Sequence, residues 1–464
     1  MCPSKFYTEI DVFKLGGRAI AKHPDIIINV ITNNQYPKVI IVSSIGQTAE
    51  IVEQLVKCSN PAASEYIKSI FEIYAEFIKK YISNKESKNY LETQARITIG
   101  KIAQRIAEKG KLEPIDKSYI LTRGECLSAL IIEQILIENN LDAEVIRAED
   151  IIATKGSFLN ASIDEATTKE NILQEILPKI SRDKAIIIPG LTGYNKRFAK
   201  LTKEKPVTYL GVDSGDITAS VMATSLAGPL RKISVHFVKN TKGWQSADRS
   251  IVKNSINAPY ITVEEISKAI GRHRLIHPKA IRNLLQHGIK TEMIGTVNNS
   301  TTRIVATRPN ILEMPIIVVV GKEENVITLD NSQDPGPGYL EKIDKIIKKH
   351  GGSIDYEGGI GNTIIRSVDF NGDLKKENLD SLKKDLSKIV DRIDITKRSI
   401  IYLIGAGLKK DKKIISRAID ILIDNNINFI DQQSDGISLD FIIPRGQKKQ
   451  AIQTLHKLFF TQSA

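Results

Sequence analysis

Apolar residues recur along the chain with two alternating periods, and that alternation predicts an α/β architecture. The first strand is the apolar run that ends in Lys14-Leu15-Gly16-Gly17. Pro37–Ser44 follows as a β-branched run closed by small polar residues, as expected of a parallel strand buried on both faces. Thr48–Lys57 has helical spacing, and Ala62–Lys109 is a long, charged, helix-rich stretch with few glycines. Ser118–Leu121 predicts a short strand, leading through Arg123-Gly124-Glu125 into a helix over Cys126–Glu138. Ala143–Ile146 and Lys184–Ile188 are further strands, the second ending at Pro189-Gly190. Strands separated by helices predict a mostly parallel sheet sandwiched by helices. In such sheets ligands bind beyond the carboxyl ends of the strands, where the glycine-rich turns of this chain fall.

After Asn310 the pattern changes. Ile316–Val320, Val326–Leu329, Gly338–His350, Ser353–Tyr356 and Thr363–Asp369 read as strands, a helix and strands. Ser399–Gly405, Lys412–Asn425, Asn428–Gln432 and Ile437–Pro444 repeat the theme, with a final helix over Gln447–Phe460. Two such units of about 70 residues predict a pair of small α+β modules, a repeat in architecture rather than in letters.

Length and composition narrow the classes. A chain of 464 residues, 41% hydrophobic, has room for two or three ordinary globular domains. No window approaches the ~20 apolar residues that cross a bilayer. The opening Met1-Cys2-Pro3-Ser4-Lys5 lacks the apolar stretch of a secretory signal, so a cytoplasmic protein without membrane association is expected. Cys2, Cys58 and Cys126 are too far apart for a disulfide framework or a C-x-x-C metal site, and read as free structural thiols in a reducing compartment. The net charge of +12 comes from scattered lysines accompanied by 54 acids, with no aromatic-basic stripe. Solvated surface charge is therefore expected and nucleic acid is not, although a basic cleft for anionic nucleotides fits equally well.

The candidate chemistry begins at the first turn. Gly16 and Gly17 let the backbone bend sharply and offer N–H groups to a phosphate, and Lys14 supplies a mobile point charge. The same string also makes a plain β-turn. Three more motifs follow in order: Ser43-Ser44-Ile45-Gly46-Gln47-Thr48, Gly124-Glu125-Cys126-Leu127-Ser128-Ala129, and Gly211-Val212-Asp213-Ser214-Gly215-Asp216-Ile217-Thr218-Ala219. The last two are expected to open helices, with helix N-termini at Ser128 and Asp216 adding partial positive charge for anions.

The ordered set resembles the aspartokinase family, whose corresponding motifs read K-F-G-G-T-S, S-A-M-G-x-T, G-E-x-L-S-A and G-R-G-G-S-D-x-T-A. Ser246-Ala247-Asp248-Arg249, Tyr260–Glu265 and Arg274-Leu275-Ile276-His277-Pro278 are similar to later family segments, and Ala451–Phe460 resembles the close of its second ACT module. The resemblance spans nearly the whole chain. It implies an amino-acid kinase domain over residues 1–305 and ferredoxin-like α+β ACT modules over 311–390 and 396–464. It implies ATP-dependent phosphorylation of the β-carboxylate of aspartate, the first step towards lysine, threonine and methionine, with ATP and Mg²⁺ as cofactors.

Matched residue by residue, the resemblance implies that Lys14 stabilises the transferring phosphoryl group and that Asp216 organises it. Ser43 and Thr48 would hydrogen-bond the amino-acid substrate, and Glu125 would receive its ammonium. Gly16, Gly17, Gly215, Asn240, Gly243 and Arg274 fall on the nucleotide side. In the tail, Asp355 and Tyr339 fall where an effector amino acid docks, beside the Asn331–Tyr339 turn. ACT modules of this family pair between subunits, so a homodimer or higher homo-oligomer is implied. His273 and His277 have H-x-x-x-H spacing without the H-E-x-x-H glutamate, so no protein-bound metal is expected and Mg²⁺ would arrive on ATP.

Simpler roles are available to several of these residues. Glu125 is also an ordinary first-turn acid, Asp216 a helix N-cap, His277 a packing residue and Trp244 a core or rim residue.

The departures from the pattern cluster in the site. The family arginine that forks onto the substrate α-carboxylate is Val212 here, and the following glycines are Asp213 and Ser214. Arg18 and Ala19 replace threonine and serine after the opening glycines, and T-D-V-D-G has become Lys239-Asn240-Thr241-Lys242-Gly243. Three readings remain open. Arg18 takes over the carboxylate contact; or the acceptor is a different amino or carboxylic acid; or the chain binds amino acids without catalysis.

Overall fold

The computed structural model describes residues 9–57, 60–109, 111–202, 205–269, 275–309, 314–332, 338–359, 361–370, 376–411 and 413–460. The chain divides into two compact units. Met1–Trp244, Pro259–Val263 and Leu275–Thr307 form the first, and Gln245–Ala258, Glu264–Arg274 and Arg308–Ala464 the second.

The strands of the first unit are β1 (Glu9–Leu15), β2 (Lys38–Val42), β3 (Asp142–Val145), β4 (Ala153–Lys155), β5 (Ser162–Ile163), β6 (Lys184–Pro189), β7 (Thr192–Asn195), β8 (Val207–Tyr209), β9 (Lys232–Lys239), β10 (Tyr260–Thr262), β11 (Lys290–Gly295) and β12 (Ser300–Val305). Eight of them make one sheet in the order β10-β12-β11-β9-β1-β2-β6-β3. Only β11 and β12 pair antiparallel within it. The central strands read IDVFKL, KVIIV and AIIIP and are buried along their length, so they are mainly apolar and do not alternate, with Asp11, Lys14 and Lys38 as buried charged exceptions.

One face packs Phe13, Leu15, Ile40 and Val42 against the helices Thr48–Leu55, Asn60–Tyr81, Lys85–Glu108 and Pro114–Glu138. The helix Gly215–Leu226 packs on β1, β2 and β9. A small sheet, β5-β4-β7-β8, completes the unit.

The strand expected at Ser118–Leu121 does not form. Pro114–Glu138 is one continuous helix with Pro114 in its first turn, where proline is tolerated. Its hydroxyl residues satisfy themselves on the helix: Ser118 Oγ donates to the Ile115 carbonyl at 2.8 Å and Thr122 Oγ1 to that of Ser118 at 2.9 Å. Ile120, Leu127 and Ile131 lie in the core, and that packing overrides a local β preference. Glu125 and Ser128 are therefore mid-helix residues, not the first turn of a new one.

The second unit adds β13 (Val318–Asp330), β14 (Ser353–Gly358), β15 (Thr363–Asp369), β16 (Arg392–Ile404), β17 (Asp431–Ser434) and β18 (Ser438–Pro444). They form one antiparallel sheet in the order β14-β15-β13-β16-β18-β17. The break expected between Val320 and Val326 is absent. Gly321-Lys322-Glu323-Glu324-Asn325 stays in the ladder because β13 pairs with β16 along its length, from Val318 opposite Ile404 to Asp330 opposite Arg392. For the same reason β16 begins at Arg392 rather than Ser399. The last edge strand is Asp431–Ser434 rather than Asn428–Gln432.

The helices Tyr339–Lys349, Lys376–Leu386, Lys413–Asp424 and Lys448–Phe460 cover the sheet over two adjacent cores. One is built on Ile327, Leu329 and Ile343, the other on Ile401, Phe441 and Ile452. Among the described residues, no helix is long and apolar enough to cross a membrane.

Candidate active site

The carboxyl ends of β1, β2 and β9 open on a cavity of about 450 Å³ in the first unit. β1 delivers Lys14 to its wall and then turns at Gly16-Gly17. The turn demands glycine: a Cβ on Gly17 would stand 1.9 Å from the Ser44 carbonyl oxygen. The Gly16 N–H donates to the Val238 carbonyl at 2.9 Å, and the Gly46 N–H donates to that of Gly17 at 3.0 Å.

Lys14 Nζ donates to Ser43 Oγ at 2.9 Å and lies 3.5 Å from Asp216 Oδ1. Asp216 occupies the first turn of the helix Gly215–Leu226, while Ser214 holds the N-cap position. The same carboxylate accepts from Lys239 Nζ at 3.1 Å and from the His277 N–H at 3.0 Å. Burial opposes charge on Asp216, but Lys239, Lys14 and the His277 amide outweigh it and hold the carboxyl below its usual range. Burial, reinforced by Lys14, pushes the Lys239 ammonium down in spite of Asp216.

Glu125 projects from mid-helix into the cavity wall and is fully buried. Its Oε2 accepts the Leu191 N–H in a short hydrogen bond, whereas Oε1 is buried with no partner among the described residues. Burial pushes this carboxyl up to about 8, against the pull of the Leu191 amide and Lys14. A neutral acid with an open acceptor suits an incoming cation, whose arrival would ionise it.

Arg18 lines the same cavity with its side chain 65% exposed and pairs with Glu50 at 3.0 Å. Val212, 64% exposed, and Asp213, with φ of +57°, form another stretch of wall. Ser43, Gly215 and Asn240 also line it. Thr48 is fully buried and spends its hydroxyl on the Ile45 carbonyl at 2.7 Å, and neither it nor Gly243 lines the cavity.

Arg274 and the Asp355 side chain lie outside the described residues, as do Cys2 and Cys58. Tyr339 is buried, its hydroxyl donating to the Ile389 carbonyl at 2.7 Å. His277 caps the helix Pro278–Gln286 by accepting the Lys279 N–H, and Trp244 is a core residue at 1% exposure. Among the described residues, no group of three His, Cys, Asp or Glu could hold a metal ion.

Two features escaped sequence reasoning. Lys239 entered the sequence reading only as the first residue of the segment replacing T-D-V-D-G, and its contact with Asp216 comes from the pairing of β9 beside β1. His236, on β9, sits 3.2 Å from Asp11 on β1 and 2.8 Å from Glu292 on β11. These contacts are long-range, and nothing local in the sequence announces them.

The amino acid kinase family model matches residues 10–295, and the chain belongs to that family. Along almost its whole length it is similar to aspartokinases. It is 26% identical over 480 residues to aspartokinase 1, chloroplastic, of Arabidopsis thaliana, covering 98% of this chain and 82% of the relative. The fold matches that of Escherichia coli aspartokinase III in complex with lysine and aspartate, with a TM-score of 0.79 at 18% identity, covering 97% of this chain and 99% of the other. The same enzyme in complex with aspartate and ADP matches with a TM-score of 0.75, also at 18% identity, covering 97% and 100%.

Proposed function

We propose that the protein is an aspartokinase, transferring the γ-phosphoryl group of ATP to the side-chain carboxylate of L-aspartate. The observation that carries the reading is one cavity that joins Lys14, held by Ser43 and Asp216, to the unpartnered Oε1 of buried Glu125. The first group suits phosphate oxygens and the second suits an ammonium. Membership of the amino acid kinase family and the likeness to aspartokinases support the same choice of reaction.

In the reaction a carboxylate oxygen of the acceptor forms a bond to the γ-phosphorus. The bond from that phosphorus to the β–γ bridging oxygen breaks, and its electron pair stays with ADP. The products are 4-phospho-aspartate, an acyl phosphate, and ADP. Little covalent assistance is required, so the chain's task is positioning and charge neutralisation. Lys14 faces the phosphoryl group, Asp216 fixes the lysine, and the Gly16-Gly17 turn allows close backbone approach. Glu125 holds the substrate ammonium. Arg18 releases Glu50 and grips the α-carboxylate that no arginine at residue 212 can reach. Mg²⁺ would be held by the ATP phosphates and water.

Residues 1–305 are assigned as the kinase domain, and 311–390 and 396–464 as ACT-like modules of a homodimer. The modules are assigned an amino-acid effector beside Tyr339 and Asp355. A second reading, a different carboxylic acceptor, draws on Val212 and Asp213, which put an apolar and an acidic side chain in the cavity wall. Hydroxylamine traps an acyl phosphate as a hydroxamate. Hydroxamate from aspartate and Mg-ATP supports the aspartokinase reading, hydroxamate only from another acid supports the second, and silence with every acid tested contradicts both.

A further inference from the structure

We infer that Tyr74 is a positioning residue for the transfer: its buried hydroxyl ties the segment that carries Ser43 to the helix that carries Glu125, and so fixes the spacing of the two halves of the site. The inference rests on the phosphotransferase reading above and adds to it a residue that lies outside all four motifs.

Tyr74 comes from the helix Asn60–Tyr81, far along the chain from Glu125. It is fully buried, and its ring belongs to the core of the first unit, a task that phenylalanine would perform as well. The hydroxyl is what needs a reason, because a buried polar group is costly unless it is hydrogen-bonded. Tyr74 Oη donates to the Gly124 carbonyl at 2.7 Å and lies 3.2 Å from Ser128 Oγ. Burial pushes the phenol above its ordinary range, so it stays protonated and remains a donor.

Ser128 completes the junction. Its Oγ donates to the same Gly124 carbonyl at 2.9 Å and accepts the Ile45 N–H at 3.0 Å. Two hydroxyls thus converge on one carbonyl of the helix Pro114–Glu138, and one of them also holds the backbone that follows β2. The approach is so close that residue 124 must lack a side chain: a Cβ there would stand 2.8 Å from Ser44 Oγ and 3.2 Å from Tyr74 Oη. Thr48 braces the same segment by donating to the Ile45 carbonyl at 2.7 Å.

The residues flanking this junction are the ones assigned to the two halves of the site. Glu125 follows Gly124 on the helix, and Ser43, which accepts from Lys14 Nζ, precedes Ser44. Glu125 seats the acceptor ammonium and Lys14 the phosphoryl group, so a tie between their supports sets how the acceptor oxygen meets phosphorus. Transfer is sensitive to that alignment, a misplacement of about 1 Å costing roughly 100-fold in rate. Each ligand is bound by its own half, so Tyr74 acts on kcat and leaves the affinities nearly unchanged.

The test compares wild-type protein with Tyr74→Phe, which removes the hydroxyl and keeps the ring, and with Ser128→Ala, which decides the matter if Tyr74→Phe does not fold. Thr168→Val is the control: it deletes a buried hydroxyl bonded to the Ala153 backbone, and Thr168 does not line the cavity. Each variant is checked by thermal melting. In the hydroxamate assay Tyr74→Phe is expected to lose at least tenfold in kcat, with KM for aspartate and for ATP each within threefold, and Ser128→Ala to show the same split. Thr168→Val is expected to keep kcat within twofold of wild type, although its melting temperature also falls.

A purely structural Tyr74 predicts a lower melting temperature with kcat within twofold of wild type, and that result overturns the inference. A loss carried by KM rather than kcat overturns it as well. If wild-type protein forms no hydroxamate with any acid, the kinase reading fails by itself, and hydrogen exchange then decides the role of Tyr74. Faster amide exchange across Ser43–Thr48 in Tyr74→Phe, but not in Thr168→Val, supports the junction, and unchanged exchange overturns it.

Discussion

Lys14 Nζ and Asp216 Oδ1 lie 3.5 Å apart, the lysine at the end of a central strand and the aspartate in the first turn of a helix packed on that strand. Neither residue is free to move: the lysine is also held by Ser43, and the carboxylate by Lys239 and the His277 amide. A charge fixed in this way is pre-organised, as the proposed reaction requires of a group that stabilises developing charge without reorganising.

On the proposed reading, Glu125 gives the acceptor half of the site a pH signature. Its carboxyl is pushed up to about 8 by burial, so at neutral pH it is mostly protonated before substrate arrives. Binding of an ammonium needs the ionised form. The ratio kcat/KM for aspartate is therefore expected to rise with pH and level off above an apparent pKa near 8, and Glu125→Gln is expected to abolish the inflection and raise KM. A flat profile for wild-type protein between pH 6 and 9 would remove Glu125 from the acceptor site.

The Gly17 turn is a packing prediction independent of catalysis. A Cβ there meets the backbone oxygen of Ser44 at 1.9 Å, and no side-chain rotation relieves a clash with backbone. Gly17→Ala is expected to cost about 3 kcal/mol or more, or to prevent folding, as read by urea denaturation. Gly156, with φ of +90° and open space at its Cβ position, serves as the control, and its alanine variant should cost only the strain of that backbone conformation.

His236 couples stability of the first unit to pH. Burial alone would lower its pKa, but Asp11 and Glu292 on the flanking strands outweigh that and raise it to about 9. A histidine whose folded pKa exceeds its unfolded value stabilises the fold fully below the unfolded pKa of about 6.5. That contribution, on the order of 3 kcal/mol, is lost as pH rises towards 9. The melting-temperature gap between wild-type protein and His236→Gln should be widest near pH 6 and shrink steadily by pH 9.5. A gap that does not change with pH would mean the imidazole is not charged in the folded state.

On the proposed reading, Arg18 and Val212 bear on how the acceptor is held. Arg18→Ala is expected to raise KM for aspartate at least tenfold with kcat changed less than threefold, since the contact acts on ground state and transition state alike. Val212→Arg, at a position 64% exposed, should change stability by no more than about 0.5 kcal/mol and lower that KM. If Arg18→Ala leaves KM unaltered, the guanidinium serves only its partner Glu50 at 3.0 Å.

Much of this fold was legible because its central strands are buried on both faces and carry unbroken apolar runs. Thr363–Asp369 was bounded correctly for a related reason, since Ile364, Ile365 and Val368 are buried within a continuous buried run. The helix Pro114–Glu138 was misread as strand plus helix because Ser118-Tyr119-Ile120-Leu121 has local β character, and only its packing decides otherwise. Gly124 looked like a helix opener. It is a mid-helix glycine because a Cβ there would crowd Ser44 Oγ at 2.8 Å and Tyr74 Oη at 3.2 Å.

β13 and β16 were cut short in the sequence reading because Gly321–Asn325 of β13 is a polar run and Arg392–Arg398 of β16 is rich in charge, and the ladder between them is a long-range pairing. In the site, glycine turns and motif-borne residues such as Lys14 were visible. The contact of Lys239 with Asp216 and the Asp11–His236–Glu292 cluster were not, because strand order alone assembles them.

The most direct measurement is hydroxamate formation from aspartate, Mg-ATP and hydroxylamine by wild-type protein and by Lys14→Met, with both shown to melt cooperatively. The account predicts hydroxamate and stoichiometric ADP from wild-type protein, and a loss of at least 100-fold in kcat for the variant with KM for aspartate within threefold. Equal turnover by the two proteins, or wild-type turnover confined to a different acid, would contradict the assignment of aspartate phosphorylation to this site.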